Sequence, residues 1–434
     1  MRREVRGWLG TDPTNSLKVG IAGLAATSLT ANVVGLGSGI CLARALATHG
    51  RGEYQLATLY WALVPGTLCL SLSTLIAAQA PDLGSSRGWY TRRGLAFVAI
   101  GFLVALALAP LDLMPSRVLL ILGLGALGYM VSDLVQGRMR QLGDFRSLAR
   151  FRLIDMAGSS ALIICFFLAG RLSVATATFA LVATTAAAVF WSLPRLHLRR
   201  DGDVPALAAT AIRSVHGATL LRIVTSWSNQ LAVVAVLGTS SLGVYAVAGS
   251  VAAQFAILPA ALGTVGFAAA TRDTVDAGRR LERTLRVLIS TAALGAIGVW
   301  LVGPTFFSAV FGHAFTPAGH VAALLTLNAA CEGSLLVMEN YLIVRIGPSV
   351  ALRNRLIGLP SLALSAPIFL VTESLFAAAL IPIGMNLSSA VMAGWRLQKV
   401  GQLRPLAIVL PGSRSSDAGD EAGPRPSRWR RRDH

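Results

Sequence analysis

The sequence predicts an all-α integral membrane protein, with about 12 transmembrane helices in two parallel six-helix bundles. Three observations predict it: an apolar composition broken into bilayer-length runs, a one-sided distribution of basic residues, and an internal repeat. Charged residues make up 13% of the 434-residue chain, and mean hydropathy is +0.64. Soluble chains carry roughly 25% charge, so a chain this apolar cannot cover its surface in water. A helix of about 20 apolar residues crosses the hydrocarbon core. Twelve such spans are read at about 19–43, 54–79, 94–112, 118–137, 152–170, 173–193, 216–237, 244–269, 285–303, 318–344, 356–372 and 374–395. Membrane strands would alternate apolar and polar residues, and these runs do not.

The formal charge of +18 invites a nucleic-acid reading, which its distribution removes. With the N-terminus inside and alternation through twelve spans, 33 of the 38 basic residues fall in inside segments. Four fall outside, Arg44, Arg51, Arg117 and Arg171, and Arg222 lies within span 7. A bias this strong is the positive-inside signal, and one missed span would scramble it downstream. It places both termini in the cytoplasm and the chain in the cytoplasmic membrane, with an anionic inner leaflet as neighbour. The start "MRREVRGWLG" is basic, but the apolar run after it is too long for a signal peptide and lacks a cleavage site.

"LATHGRGEYQLATLY" (46–60) and "LGTSSLGVYAVAGSV" (237–251) match at Leu46/Leu237, Thr48/Thr239, Gly52/Gly243, Tyr54/Tyr245 and Ala57/Ala248, a constant offset of 191. Each copy joins an odd span to the next even one, after span 1 and after span 7. An even number of spans per half makes the repeat parallel. The expected units are 1–200, 201–403 and a polar, disordered cytoplasmic tail, 404–434, whose composition cannot bury a core. The repeated glycine is expected to make the tight turn, and the tyrosine to anchor at the interface. Pro65–Gly66 on span 2 and Pro259 on span 8 interrupt corresponding helices, which suits either a transport pathway or plain packing.

No catalytic constellation, metal set or cofactor motif is present. "GLGALG" (123–128) matches a dinucleotide fingerprint but lies mid-span, where small residues let helices approach. "GLGSG" (35–39) reads as a packing face in the same way. "DGD" (201–203) lies in a linker too short for a glycosyltransferase domain. Cys41, Cys69, Cys165 and Cys331 lack metal or redox spacing, and the six histidines are scattered.

Polar residues inside spans are costly and therefore informative. On span 7, Thr219, Arg222, Ser226, Asn229 and Gln230 share one stripe, with Trp227 at its border. On span 10, Asn328, Glu332 and Glu339 share a face. Glu332 is mid-span, and Glu339 lies at the depth of Arg222 and is its expected partner in a structural reading. Asp133 and Asp155 lie near Arg138, Arg150 and Arg152, a setting for interfacial ion pairs. The substrate-cavity candidates are thus Arg222, Ser226, Asn229, Gln230, Trp227 and Asn328, and the coupling candidates Glu332, Glu339 and Asp133.

Several stretches resemble bacterial polysaccharide flippases of the multidrug/oligosaccharidyl-lipid/polysaccharide exporter superfamily. They are "LARALATHGRGEYQLATL", "VSDLVQGRMRQLGDFRSLARFRL", "NQLAVVAVLGTSSLGVYAVAGSV", "VFGHAFTPAGHVAALLTLNAA" and "ENYLIVRIGPSVALRN". The resemblance implies a V-shaped pair of six-helix bundles around a central cavity that opens alternately to each side. It implies a lipid-linked sugar as cargo, membrane lipids as surroundings and polysaccharide-biosynthesis enzymes as partners. Many relatives carry an acidic residue near Asn229. A cation-coupled drug or small-solute exporter, a membrane glycosyltransferase or polymerase, and a non-transporting scaffold are the alternatives.

Overall fold

A computed structural model describes residues 13–68, 99–100, 103, 114–142, 144–196, 209–256, 277–346 and 349–400. Among these, no strand occurs and ten α-helices carry the fold. They are α1 (Pro13–Leu68), α2 (Ser116–Leu142), α3 (Phe145–Arg152), α4 (Gly158–Leu168), α5 (Val174–Ser192), α6 (Ala209–Phe255), α7 (Ala277–Phe311), α8 (Ala318–Arg345), α9 (Ser349–Thr372) and α10 (Leu375–Lys399). Most of span 3, Cys69, the 201–203 motif, Pro259 and the tail lie outside the described residues.

Local chemistry sets the ends. Ser173 and Thr176 form a reciprocal capping box at the start of α5, Ser374 caps α10 and Asp144 caps α3 through the Ser147 amide. These satisfy helix-start N–H groups that the membrane interface leaves bare. Apolar side chains then cover the outside: Leu364 is 75% exposed and Val371 84%. Such a surface suits hydrocarbon, not water. Nine helical stretches among the described residues are long and apolar enough to cross a membrane.

Two of those nine each join one predicted span to the next. Span 1 and the start of span 2 form α1, broken at Ala47 (φ 54°), and span 7 and the start of span 8 form α6, broken at Gly238 (φ 80°). These positions are themselves 191 apart, so the repeat is written in the backbone as well as the sequence. The break falls five residues before each repeated glycine, which corrects the expected tight turn at Gly52 and Gly243: both lie inside helix, and Ala47 and Gly238 supply the left-handed residue. The tyrosines are corrected too. Tyr54 and Tyr245 are 8% and 2% exposed and belong to the apolar core, not to an interfacial belt.

That core runs through both halves of the chain and includes Tyr54, Leu59, Leu242, Tyr245, Phe307 and Phe315. A second joins Leu281, Leu335, Met338, Leu342 and Leu397. Two contacts join distant segments. Arg44, three residues before the Ala47 break, bonds the carbonyls of Val310 and Ala309 near the end of α7. Arg355 and Glu339 bond each other. The end with the Ala47 and Gly238 breaks is called the outer end below. The "GLGALG" stretch is helix, and a Cβ on Gly125 would come 2.6 Å from the Trp61 ring, so packing explains it.

Candidate functional site

The site is built where the two repeats meet. Gly52 and Gly243 face each other's helices so closely that a Cβ on Gly52 would overlap the carbonyl oxygen of Thr239. A Cβ on Gly243 would overlap that of Thr48 and lie 3.0 Å from the Gly52 nitrogen. The contact is reciprocal, because Thr48 and Thr239 are themselves repeat mates. Small residues permit this backbone-to-backbone approach. It closes a seam between α1 and α6 at the outer end.

Below the seam the polar residues begin. Gln55 donates to Gln230 at 2.8 Å, a side-chain bond between the two halves. Gln55 is eight residues past the break at Ala47, and Gln230 eight before the break at Gly238, so they meet at equal depth, about 12 Å along each helix. Asn229 is buried and donates to the Tyr245 hydroxyl, while its Oδ1 has no hydrogen-bond partner. Trp227, half-buried, packs against the shared core on the same helix. The side chains of Arg222 and Ser226 lie outside the described residues.

On α8 the candidates separate. Asn328 accepts from Asn386 of α10 at 2.9 Å. Glu332 is half-buried. Glu339 is 4% exposed and bonds Arg355 of α9 at 2.8 Å. The guanidinium bonded to Glu339 comes from the next helix, and the expected Arg222 partnership falls on a side chain outside the described residues. One buried pair in a low-dielectric site needs such geometry to offset its desolvation.

The first half holds a cavity of about 390 Å³. Its polar lining includes Asn32, Ser132, Asp133, Gln136, Asp155 and Thr185, with Trp61 and Tyr129 beside them. Those two rings meet edge to face at 5.5 Å. Asp155 lies in a π-helical turn, Leu153–Ala157, between α3 and α4. Wide turns of this kind recur at functional sites, because the extra residue turns a side chain off the regular face. Here it turns the carboxylate toward α5, where Thr185 donates to Asp155 at 2.6 Å. Asp133 and Asp155, expected in interfacial ion pairs, both border this cavity. Among the described residues no group of three or more His, Cys, Asp and Glu could hold a metal ion.

Sequence reasoning passed over Asn32, Gln55, Gln136 and Arg355. A signal existed for the first three, each being a polar residue inside an apolar run. None existed for Arg355, which reads as an ordinary inside cation near Arg353.

The fold defined by these helices is that of transporters of the MOP superfamily. Solved structures similar to the chain include the lipid II flippase MurJ in an inward closed conformation, with TM-score 0.66, 11% identity, and 89% of each chain covered. A Vibrio cholerae MATE transporter gives TM-score 0.62 at 13% identity, over 90% of this chain and 98% of that one. An outward-facing MATE family transporter of the MOP superfamily gives 0.62 at 14% identity, over 91% and 97%. No protein-family model and no curated protein sequence matches the chain.

Proposed function

We propose that the chain is a membrane transporter: a flippase that moves lipid-linked oligosaccharide across the cytoplasmic membrane for cell-surface polysaccharide synthesis, by alternating access. The observation that carries this reading is the seam. Two repeated helices close against each other through glycine at the outer end, and the polar Gln55–Gln230 bond lies directly beneath. A sugar headgroup cannot cross hydrocarbon without polar partners. A polar path behind a closed seam supplies them, provided the seam opens. In this reading 1–200 and 201–403 are the two moving units, the lipid tail of the cargo stays in the bilayer, and the basic tail, 404–434, stays on the cytoplasmic side beside polysaccharide-biosynthesis enzymes. Arg222, Ser226, Trp227 and Gln230 on α6 would line the path, with Asn328 opposite.

Deletion of the gene, with no paralogue substituting, is expected to leave lipid-linked oligosaccharide on the inner leaflet and to abolish surface polysaccharide. Normal surface polysaccharide would sink the reading. Accumulation of unextended precursor would move it to a transferase.

A second reading, a cation-coupled drug or small-solute exporter, is favoured by the Asp133–Asp155 cavity. A carboxyl held by Thr185 inside a membrane half can bind or lose a proton or cation, and so bias the inward–outward equilibrium by its differential interaction with the two states. Export of a small dye by wild-type vesicles, abolished in Asp155→Asn, would favour this reading over the flippase.

Orientation has its own check. His49 has a 69% exposed side chain, and Ser240 is exposed beside the second break. Single cysteines at these positions are expected to react with an impermeant thiol reagent on intact cells, and one at Ser415 to remain unlabelled. The opposite pattern would invert the orientation.

A further inference from the structure

We propose that Arg51 is an anion-binding residue at the outer end of the seam, where it receives an oxyanion of the phosphate or pyrophosphate class once the seam parts. The inference deepens the transport reading and rests on it. Arg51 is only 5% exposed, and its Nε and Nη1 have no hydrogen-bond partner. It lies four residues past the Ala47 break and directly precedes Gly52, whose backbone meets Thr239. At 100° per residue it stands about 40° from Gln55, one turn above the Gln55–Gln230 bond. Thus the α1 face that meets the second half carries a buried cation at its outer end.

The carboxylate nearest in sequence does not serve it. Glu53 is about 200° away around the helix and pairs with His49 at 3.5 Å. The Tyr54 ring, 5.4 Å from the Arg51 guanidinium carbon, gives a cation–π contact, which does not replace hydrogen bonds to a buried guanidinium. Arg44 is the contrast: it is exposed and satisfied by two carbonyls of α7. A buried guanidinium with two of its three nitrogens unbonded is held at a stability cost. Its planar fork fits two phosphate oxygens at once, so a phosphate-class oxyanion is the ligand that repays it. The position, beyond Gln55 and Gln230 on the way out, makes this the last polar grip before release. Two sources carry that chemistry, the cargo's own phosphates and a phospholipid headgroup.

The test reads stability and binding on the full-length protein purified in a phosphate-free maltoside detergent. Arg51→Met removes an unpaired buried charge while keeping an apolar stem. It is expected to raise the midpoint of thermal unfolding by about 2 °C or more, where most buried substitutions lower it. Inorganic pyrophosphate is expected to raise the wild-type midpoint and leave that of Arg51→Met unmoved. Arg51→Lys should keep the low ligand-free midpoint and show a smaller rise. A short-chain phosphatidylglycerol added in place of pyrophosphate separates the sources: an Arg51-dependent rise with the lipid alone keeps the anion site and assigns it to the bilayer. The proposal is overturned if Arg51→Met fails to accumulate or lowers the midpoint, since Arg51 would then be structural. It is also overturned if neither ligand protects the wild type, or if both protect wild type and Arg51→Met equally. Binding through Arg51 in a protein that fails the deletion experiment would retain the site and remove the transport reading.

Discussion

Gly52→Val is expected to hold the outer seam open. A side chain at this position meets the Thr239 carbonyl, which is backbone and cannot rotate away. Helix α1 must therefore retreat from α6, and the reciprocal contact at Gly243 is lost with it. Overpacking of this kind costs about 1–3 kcal/mol. If that cost falls on the closed form alone, it shifts the closed-to-open ratio by about 5- to 150-fold. The measurement is cross-linking, by a short bifunctional thiol reagent, of cysteines placed at Gln55 and Gln230, whose side chains bond at 2.8 Å in the closed form. Cross-linking should fall in Gly52→Val and in Gly243→Val, export should fall in parallel, and accumulation in the membrane should persist. Gly52→Ala should give the same direction with smaller amplitude. Unchanged cross-linking with normal export would mean that the two glycines merely pack, and that opening occurs elsewhere.

The same pair of glycines shows what the sequence made legible. Run length sufficed for the spans that the described residues cover, because a membrane imposes it on every helix. The repeat at offset 191 located the two junctions, and the left-handed residues Ala47 and Gly238 obey that offset. What the repeat could not reveal was the meaning of its glycine. A conserved spacing looks alike whether glycine turns a chain or lets another backbone in, and here it does the second. Side-chain partners were less legible still. The depth of Glu339 along its helix was legible, yet depth fixes only one coordinate. Rotation about the helix axis and the identity of the neighbour are set by packing, and packing brings Arg355 to Glu339. Asp155 was legible as a polar residue in an apolar run, but its Thr185 partner was not, because the π-turn that carries it departs from regular helical phase.

Arg355→Met is expected to be the most destabilising single change among the described polar residues. Arg355 and Glu339 are 3% and 4% exposed, and their bond links α8 to α9 at 2.8 Å. Removing one member of a buried pair costs about 3–5 kcal/mol, because the other charge stays behind in a low-dielectric site. Replacing both by apolar residues of similar volume costs far less. The two α8–α9 partners sit beside the apolar cluster of Leu335, Met338, Leu342 and Val350, so apolar replacements have neighbours to pack against. Thermal unfolding in detergent should therefore drop by several degrees in Arg355→Met and in Glu339→Leu separately, and return most of the way in the double variant. A double variant no better than the worse single would show that the two side chains act through other partners. Full recovery of stability without recovery of export would show more: the pair would be dispensable for holding α8 against α9 and required in the transport cycle, which would bring Glu339 back among the coupling residues on functional evidence.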